Sequence, residues 1–255
     1  MKRGWCASLL LALVMPVVMV GCGGGKRPYV PLIEQTGEVD FSLWINDPDD
    51  GGILFVPEGG HEVAGLLVQW KGSGGLPVSL STSWQGTAPA GVSVRMSPVP
   101  ATYASGGRQV TVEVRTTAGT TSPGRHVLRI TGTDGVRSRS ADLDVWITGF
   151  TVTLTPSSQV LDYYAWEMWT ATVTPLNGFR GTVALSQTGL DPGLFAIYWQ
   201  DTTLAFTGGD TPQSVYLEVR MEVWPPNEAY PFAVTGTSGA ITEVSNTSTL
   251  IRGLD

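Results

Sequence analysis

The strongest constraint on this chain is that it repeats itself. VTVEVR at Val110 to Arg115 returns as VYLEVR at Val215 to Arg220, and ITGTDG at Ile130 to Gly135 returns as VTGTSG at Val234 to Gly239. LPVSLS at Leu76 to Ser81 precedes GTVALS at Gly181 to Ser186 by the same interval, and the openings DFSLWI at Asp40 and GFTVTL at Gly149 also correspond. The order never changes, so the chain reads as two copies of a unit of about 105 residues. Within each copy the apolar period is two: QVTVEVR at Gln109, ADLDVWI at Ala141 and SVYLEVR at Ser214 alternate apolar with polar residues between turns of Gly, Pro, Asn and Ser. Alternation of this kind predicts half-buried antiparallel strands, and no stretch of helix length carries an apolar period of 3.6. The fold class that follows is all-β, with each copy a sandwich.

A unit of this length matches an immunoglobulin-like sandwich. FTVTLTPSS at Phe150, TATVTPLNGFRGTVALS at Thr170 and YPFAVTGTSG at Tyr230 resemble the immunoglobulin-like or fibronectin-III-like repeats of bacterial secreted and surface proteins. The resemblance covers the second copy, Phe150 to about Arg252. The first copy diverges from it, with GSGGLPVSLS in place of the PLNGF run and a longer acidic opening. Such repeats serve as spacers, stalks and accessory modules, and the resemblance brings no catalytic residues with it. Two domains are therefore expected, at 39–148 and 149–255, with about two residues between the last strand of one and the first of the next. Domains joined so closely should form a semi-rigid rod. The expected inward residues of the second strand are Ala64, Leu66 and Val68 in the first copy and Trp169, Ala171 and Val173 in the second. Tyr230 stands where a tyrosine corner would place its hydroxyl against a loop, and His126 holds the equivalent place in the first copy.

Ahead of the repeats the chain reads MKRGWCASLLLALVMPVVMVG, two cations and then an apolar run from about Trp5 to Val20, broken by Pro16. This is the layout of a secretory leader, and the run falls short of the roughly 20 apolar residues of a comfortable span. Met19, Val20, Gly21 and Cys22 resemble the lipobox of bacterial lipoproteins. That resemblance implies a signal peptide at 1–21 and a mature chain beginning at Cys22, with a diacylglycerol on its sulfur and a fatty acid such as palmitate on its amine. An ordinary signal peptide cut near Gly21 beside an incidental cysteine is the alternative. Of the two cysteines, Cys6 would leave with the leader, so the mature chain would keep an unpaired thiol, for which lipidation supplies a reason. Residues 22–38 then form a short tether. The address expected is a bacterial cell envelope, and Gly23, where enteric lipoproteins of the inner membrane carry aspartate, favours the outer membrane.

The formal charge is −7, and losing Lys2 and Arg3 makes it more negative. This composition excludes nucleic acid as a partner, since phosphate binding needs clustered Lys and Arg. Catalytic patterns are also missing: HEVAG at His61 puts Gly65 where a zinc helix needs its second histidine, and two histidines in all cannot make a three-histidine centre. No GxSxG elbow occurs. No enzyme activity, cofactor or firm metal site is expected. The weak calcium candidate is Asp47, Asp49 and Asp50 within DPDDGGILFVPE. Gly51 at its fifth position offers no side-chain oxygen, and a solvated turn is the alternative.

Nine tryptophans ask for an account. Trp169 and Trp199 fall on inward positions and read as core. Trp44 points outward if Phe41, Leu43 and Ile45 point in, and Trp146 does so if Leu143, Val145 and Ile147 point in. If first and last strands pair, Trp44 and Trp146 share a patch beside Asp142 and Asp144, an arrangement of aromatic platforms and acids that suits sugar rings. A cover from the tether or from the neighbouring domain is the alternative. The functional expectation is a membrane-anchored, non-catalytic stalk or interaction module with a protein or polysaccharide partner. A carbohydrate-binding module using Trp44, Trp146 or the loop residues Trp84 and Trp224, and an accessory subunit of a secreted enzyme complex, are the other readings.

Overall fold

A computed structural model describes residues 40–46, 52–72, 74–226 and 228–253. Its strands in the first copy are β1 (Asp40–Asn46), β2 (Ile53–Pro57), β3 (His61–Lys71), β4 (Ser79–Trp84), β5 (Val92–Ser97), β6 (Arg108–Thr116), β7 (Gly124–Thr133) and the long β8 (Ser138–Thr155). In the second copy they are β9 (Ser158–Leu161), β10 (Trp166–Leu176), β11 (Arg180–Thr188), β12 (Phe195–Trp199), β13 (Thr203–Thr207), β14 (Gln213–Met221), β15 (Ala229–Ser238), β16 (Ile241–Val244) and β17 (Ser248–Arg252). The described residues contain no helix. The fold is all-β and immunoglobulin-like.

In the first sandwich one sheet runs β1-β3-β6-β5, and the facing sheet contains β4-β7-β8 with β2 added in parallel on β8. The second sandwich repeats the plan: β12-β14-β10 with the far half of β8 face β13-β11-β15-β17-β9, and β9 lies parallel to β17 as β2 does to β8. In each copy the opening of the chain thus serves both sheets. One segment pairs antiparallel with the second strand, and the next crosses to pair in parallel with the last strand.

Alternation places the core where the sequence indicates. Ala64, Leu66 and Val68 from β3 are buried against Phe41, Val112, Leu128, Ile130, Leu143 and Val145, with Leu43 and Ile45 packed on them. Trp169, Ala171 and Val173 from β10 form the second core with Phe150, Phe179, Phe195, Phe232 and Leu217. Trp169 meets Phe232 edge to face at 5.1 Å. Its indole N–H is satisfied inside the core, donating to Ser248 Oγ at 2.8 Å, and Ser248 donates in turn to the Pro156 carbonyl at 2.8 Å. A buried indole needs such a partner, because the unpaired N–H would keep its full desolvation cost. Trp199 is half-buried against the same core.

The link between the copies differs from the expected two-residue connection. The chain does not leave one sheet before entering the next: β8 pairs with β7 through Ile147 and with β10 from Gly149 onward. Thr148, Gly149 and Phe150 at the crossing are all buried, and Glu58 N–H donates to the Thr148 carbonyl at 3.1 Å. One strand therefore runs through both sandwiches, with a separate ladder in each.

Candidate functional site

Cys22, Asp47, Asp49 and Asp50 lie outside the described residues. Glu58, which would close the calcium loop, is described and turns elsewhere: it is buried, and its Oε1 accepts from the Gly119 N–H at 2.9 Å. Among the described residues no cluster of three or more His, Cys, Asp or Glu side chains stands close enough to hold a metal ion.

The aromatic patch expected from the sequence is not assembled. Trp44 and Trp146 do lie on the outer faces of their strands, but β1 pairs with β3, and the partner that the opening segment gives to β8 is β2. The two rings consequently belong to opposite sheets. Trp44 is half-buried, its Nε1 donating to Ser42 Oγ at 2.9 Å along the same strand face. Trp146 is covered by its cross-strand neighbours, with the Arg125 guanidinium 3.9 Å over the ring and Phe55 edge-on at 5.4 Å. Asp142 receives a two-pronged bond from Arg129, Nε and Nη2 each at 2.9 Å. That bond, ahead of a smaller opposing effect of burial, holds the Asp142 carboxyl below the ordinary aspartate range. Asp144, exposed, follows two residues along the same face.

Trp84 also differs from its expected place: it is the last residue of β4, packed on the first core and edge-on to His126 at 6.0 Å, and not a loop residue. His126 is thereby partly desolvated, which lowers its pKa below the usual histidine value. Tyr230 is buried edge-on against Phe195 at 5.1 Å.

Two regions missed in the sequence carry most of the remaining chemistry. The first is the joint. The turn Glu58–Gly60 and the loop around Ala118 in the first sandwich face the turns Asn177–Gly178 and Gly239–Ala240 in the second. Asn177 Nδ2 donates to the Ile147 carbonyl at 3.0 Å, and the Arg180 guanidinium lies 5.7 Å over the Phe55 ring. A cleft of about 270 Å³ remains, lined by Glu58, Arg180 and Ile241 among others. Beside it burial, and then the Glu58 carboxylate, push the Glu243 pKa above the ordinary glutamate range.

The second region is the opposite pole of the second sandwich, formed by the turn after β9 and the loop after β14. Tyr163 and Tyr164 have ring centres 4.1 Å apart, and Tyr163 meets Trp224 edge-on at 5.7 Å. The Tyr163 hydroxyl donates to the Tyr164 hydroxyl at 3.2 Å. Arg252 lies 5.1 Å over Trp224 and Arg220 4.8 Å over Trp166. The signal available in the sequence was the run LDYYAW at Leu161 to Trp166, which falls in a turn. Its distance along the chain from Trp224 hid the meeting of the rings.

No protein-family model matches the chain, and no curated protein matches it in sequence. Solved structures similar to it include the C-terminal domain of the Streptococcus pyogenes antigen I/II-family protein AspA, at 7% identity and a TM-score of 0.47, covering 84% of this chain and 99% of that one. Domains 4 and 5 of the S-layer protein SbsC match at 8% identity and a TM-score of 0.31, over 64% of this chain and 77% of theirs. The titin I-band fragment I67-I69 matches at 10% identity and a TM-score of 0.34, over 84% of this chain and 65% of the fragment.

Proposed function

We propose that this chain is a non-catalytic interaction module of a bacterial cell envelope, anchored through acyl chains on Cys22 and acting as a stalk that presents a contact surface to a protein or polysaccharide partner. The observation that carries the stalk is β8. A strand that is a member of both sandwiches resists rotation between them, because turning one against the other disturbs the bond from Glu58 N–H to the Thr148 carbonyl and exposes Thr148, Gly149 and Phe150, all buried at the crossing. Most domain pairs in one chain meet through small polar interfaces and move freely. This pair shares a strand.

The anchor rests on the lipobox-like residues Met19 to Cys22. Each buried methylene adds about 0.8 kcal/mol of membrane affinity, so several acyl chains on one residue make a lasting attachment where one chain would not. The outer membrane is the favoured address, from Gly23 after the cysteine. Isolation of the protein from its native envelope, followed by mass spectrometry of the N-terminal peptide, tests the anchor: Cys22 should carry a thioether-linked diacylglycerol and an amide-linked fatty acid, and Cys22→Ser should move the protein to the soluble fraction. An unacylated Cys22 overturns it.

A further inference from the structure

The two copies use the same pole for different purposes. Glu58, Gly59, Gly60, Ala118 and Gly119 of the first sandwich correspond in the repeat to Tyr163, Tyr164, Ala165, Val223 and Trp224 of the second. The turns are built alike: Gly60 N–H donates to the Pro57 carbonyl at 3.0 Å and Ala165 N–H to the Asp162 carbonyl at 3.1 Å. The residue before each donor is left-handed, with φ +70° at Gly59 and +59° at Tyr164. In the first copy these small residues admit the second sandwich, since a Cβ on Gly59 would stand 2.8 Å from the Cβ atoms of both Ala118 and Ala240. In the second copy three of the same positions hold bulky rings, Tyr163, Tyr164 and Trp224, which do not fit a joint of that kind.

The rings are also presented outward. Tyr164 is 57% exposed, Tyr163 43% and Trp224 39%. A tyrosine with left-handed backbone is strained where glycine would not be, and so exposed a ring contributes little to the core in return. Strain kept at an exposed aromatic residue points to a role outside folding.

We propose that Tyr163, Tyr164 and Trp224 form a binding site for a neutral polysaccharide built of pyranose rings. The site is too small for a protein partner: three side chains of roughly 150–250 Å² each, about half exposed, offer about 300 Å², where a stable interface takes roughly 800 Å² from each side. One or two sugar rings match that area. The charges nearby are turned away from a ligand, Arg220 Nε donating to Glu222 at 2.9 Å and Arg252 Nη1 to the Pro225 carbonyl at 2.9 Å, with Arg252 Nε buried and unpartnered, while both guanidinium groups sit over tryptophan rings. An anionic ligand would have to displace them, so a neutral one fits. The rings are inclined to one another, by 46° between the tyrosines and 68° between Tyr163 and Trp224. Ring faces set at angles meet successive sugars of a twisted chain, which present apolar C–H faces for stacking and hydroxyls for the phenol groups.

This site gives the contact surface of the proposed function its ligand, and it rests on the interaction-module reading but not on the lipid anchor. The test takes the full chain with Cys22 unmodified, so failure of the anchor leaves the result untouched. Sedimentation with cellulose, chitin, xylan and mannan, and fluorescence titration with their soluble oligosaccharides, should show binding to at least one. Tyr164→Gly should weaken it by about tenfold or more, about 1.4 kcal/mol by the affinity relation, with the melting temperature unchanged or raised because glycine relieves the left-handed turn. Trp224→Ala should weaken it likewise, and Trp44→Ala should not. Absence of binding to all four glycans, or binding that survives both tip substitutions, overturns the proposal. So does binding to zwitterionic phospholipid vesicles that the same substitutions abolish, which would make the tip a membrane contact, or capture of a protein partner through these rings alone.

Discussion

Gly59 and Tyr164 stand at the same place in two copies of one turn, with φ of +70° and +59°, yet one is half-buried at the joint and the other is held out to solvent. Both turns keep a left-handed residue at this place while the side-chain requirement is reversed. At Gly59 two constraints act together, the left-handed backbone and the pair of alanine Cβ atoms 2.8 Å from where a new methyl would sit. At Tyr164 only the backbone constraint remains.

Gly59→Ala should therefore destabilise the protein by about 2–5 kcal/mol, combining left-handed strain of about 1–2 kcal/mol with overpacking of about 1–3 kcal/mol. The neighbours are rigid methyl groups that cannot swing away. Gly86 supplies the comparison: its φ is +93° with nothing within 4 Å of a built Cβ, so Gly86→Ala should lose only the backbone part, about 1–2 kcal/mol. Urea denaturation of both variants measures the difference, and equal losses would show that the joint is not tightly packed at Gly59.

Ser248→Ala should cost about 2–3 kcal/mol for the loss of a single oxygen. That hydroxyl accepts from Trp169 Nε1 and donates to the Pro156 carbonyl inside the second core. Its removal orphans the buried Trp169 donor, worth about 1–3 kcal/mol when left unpaired, and leaves the part-buried Pro156 acceptor without its partner. Equilibrium unfolding followed by tryptophan fluorescence should show the loss.

Glu243 should make stability depend on pH at the joint. Its pKa is raised in the folded state by burial and by Glu58, so above the ordinary glutamate value the folded chain holds this proton more tightly than the unfolded chain. Stability from this group is then full below the unfolded pKa and declines as pH climbs to the raised folded value, remaining low beyond it. Glu243→Gln should raise the melting temperature at pH 7 and leave it nearly unchanged at pH 4. An equal shift at both pH values would assign the effect to packing instead of charge.

Asn177→Gly separates the joint from its turn. Asn177 has φ +54°, which glycine adopts freely, while the bond from its Nδ2 to the Ile147 carbonyl crosses between the sandwiches. The variant should keep the turn and lose that tie, costing about 1 kcal/mol. Hydrogen exchange should quicken at the ladder amides of β8 near Gly149 and stay slow in both cores. Uniform quickening would mean that the two sandwiches unfold as one.

Local alternation was enough to set the all-β class and the inward residues of β3 and β10, because a strand's faces follow from a period of two whatever the neighbouring strand is. Repetition of whole segments likewise gave the immunoglobulin-like unit. Which strands neighbour one another is another matter. Trp44 and Trp146 both read correctly as outward, but their proposed patch required β1 to pair with β8, and the pairing falls instead to β2. Nothing local distinguishes those partners, since both segments alternate. The short link at Ile147 to Phe150 was visible as a distance along the chain, whereas its becoming one continuous strand depends on β2, β7 and β10 being present to accept its hydrogen bonds.

The sequence by itself determined the period of the strands, the size and number of the repeats, the sign of the charge and the place of Cys22 after an apolar run, all properties carried by neighbouring residues. Only the tertiary structure decided that Tyr163, Tyr164 and Trp224 meet, that Arg125 covers Trp146, and that Glu58 lies beside Glu243. Those relations join residues far apart in the chain, and their energies arise only after the sheets have packed and excluded the water between them.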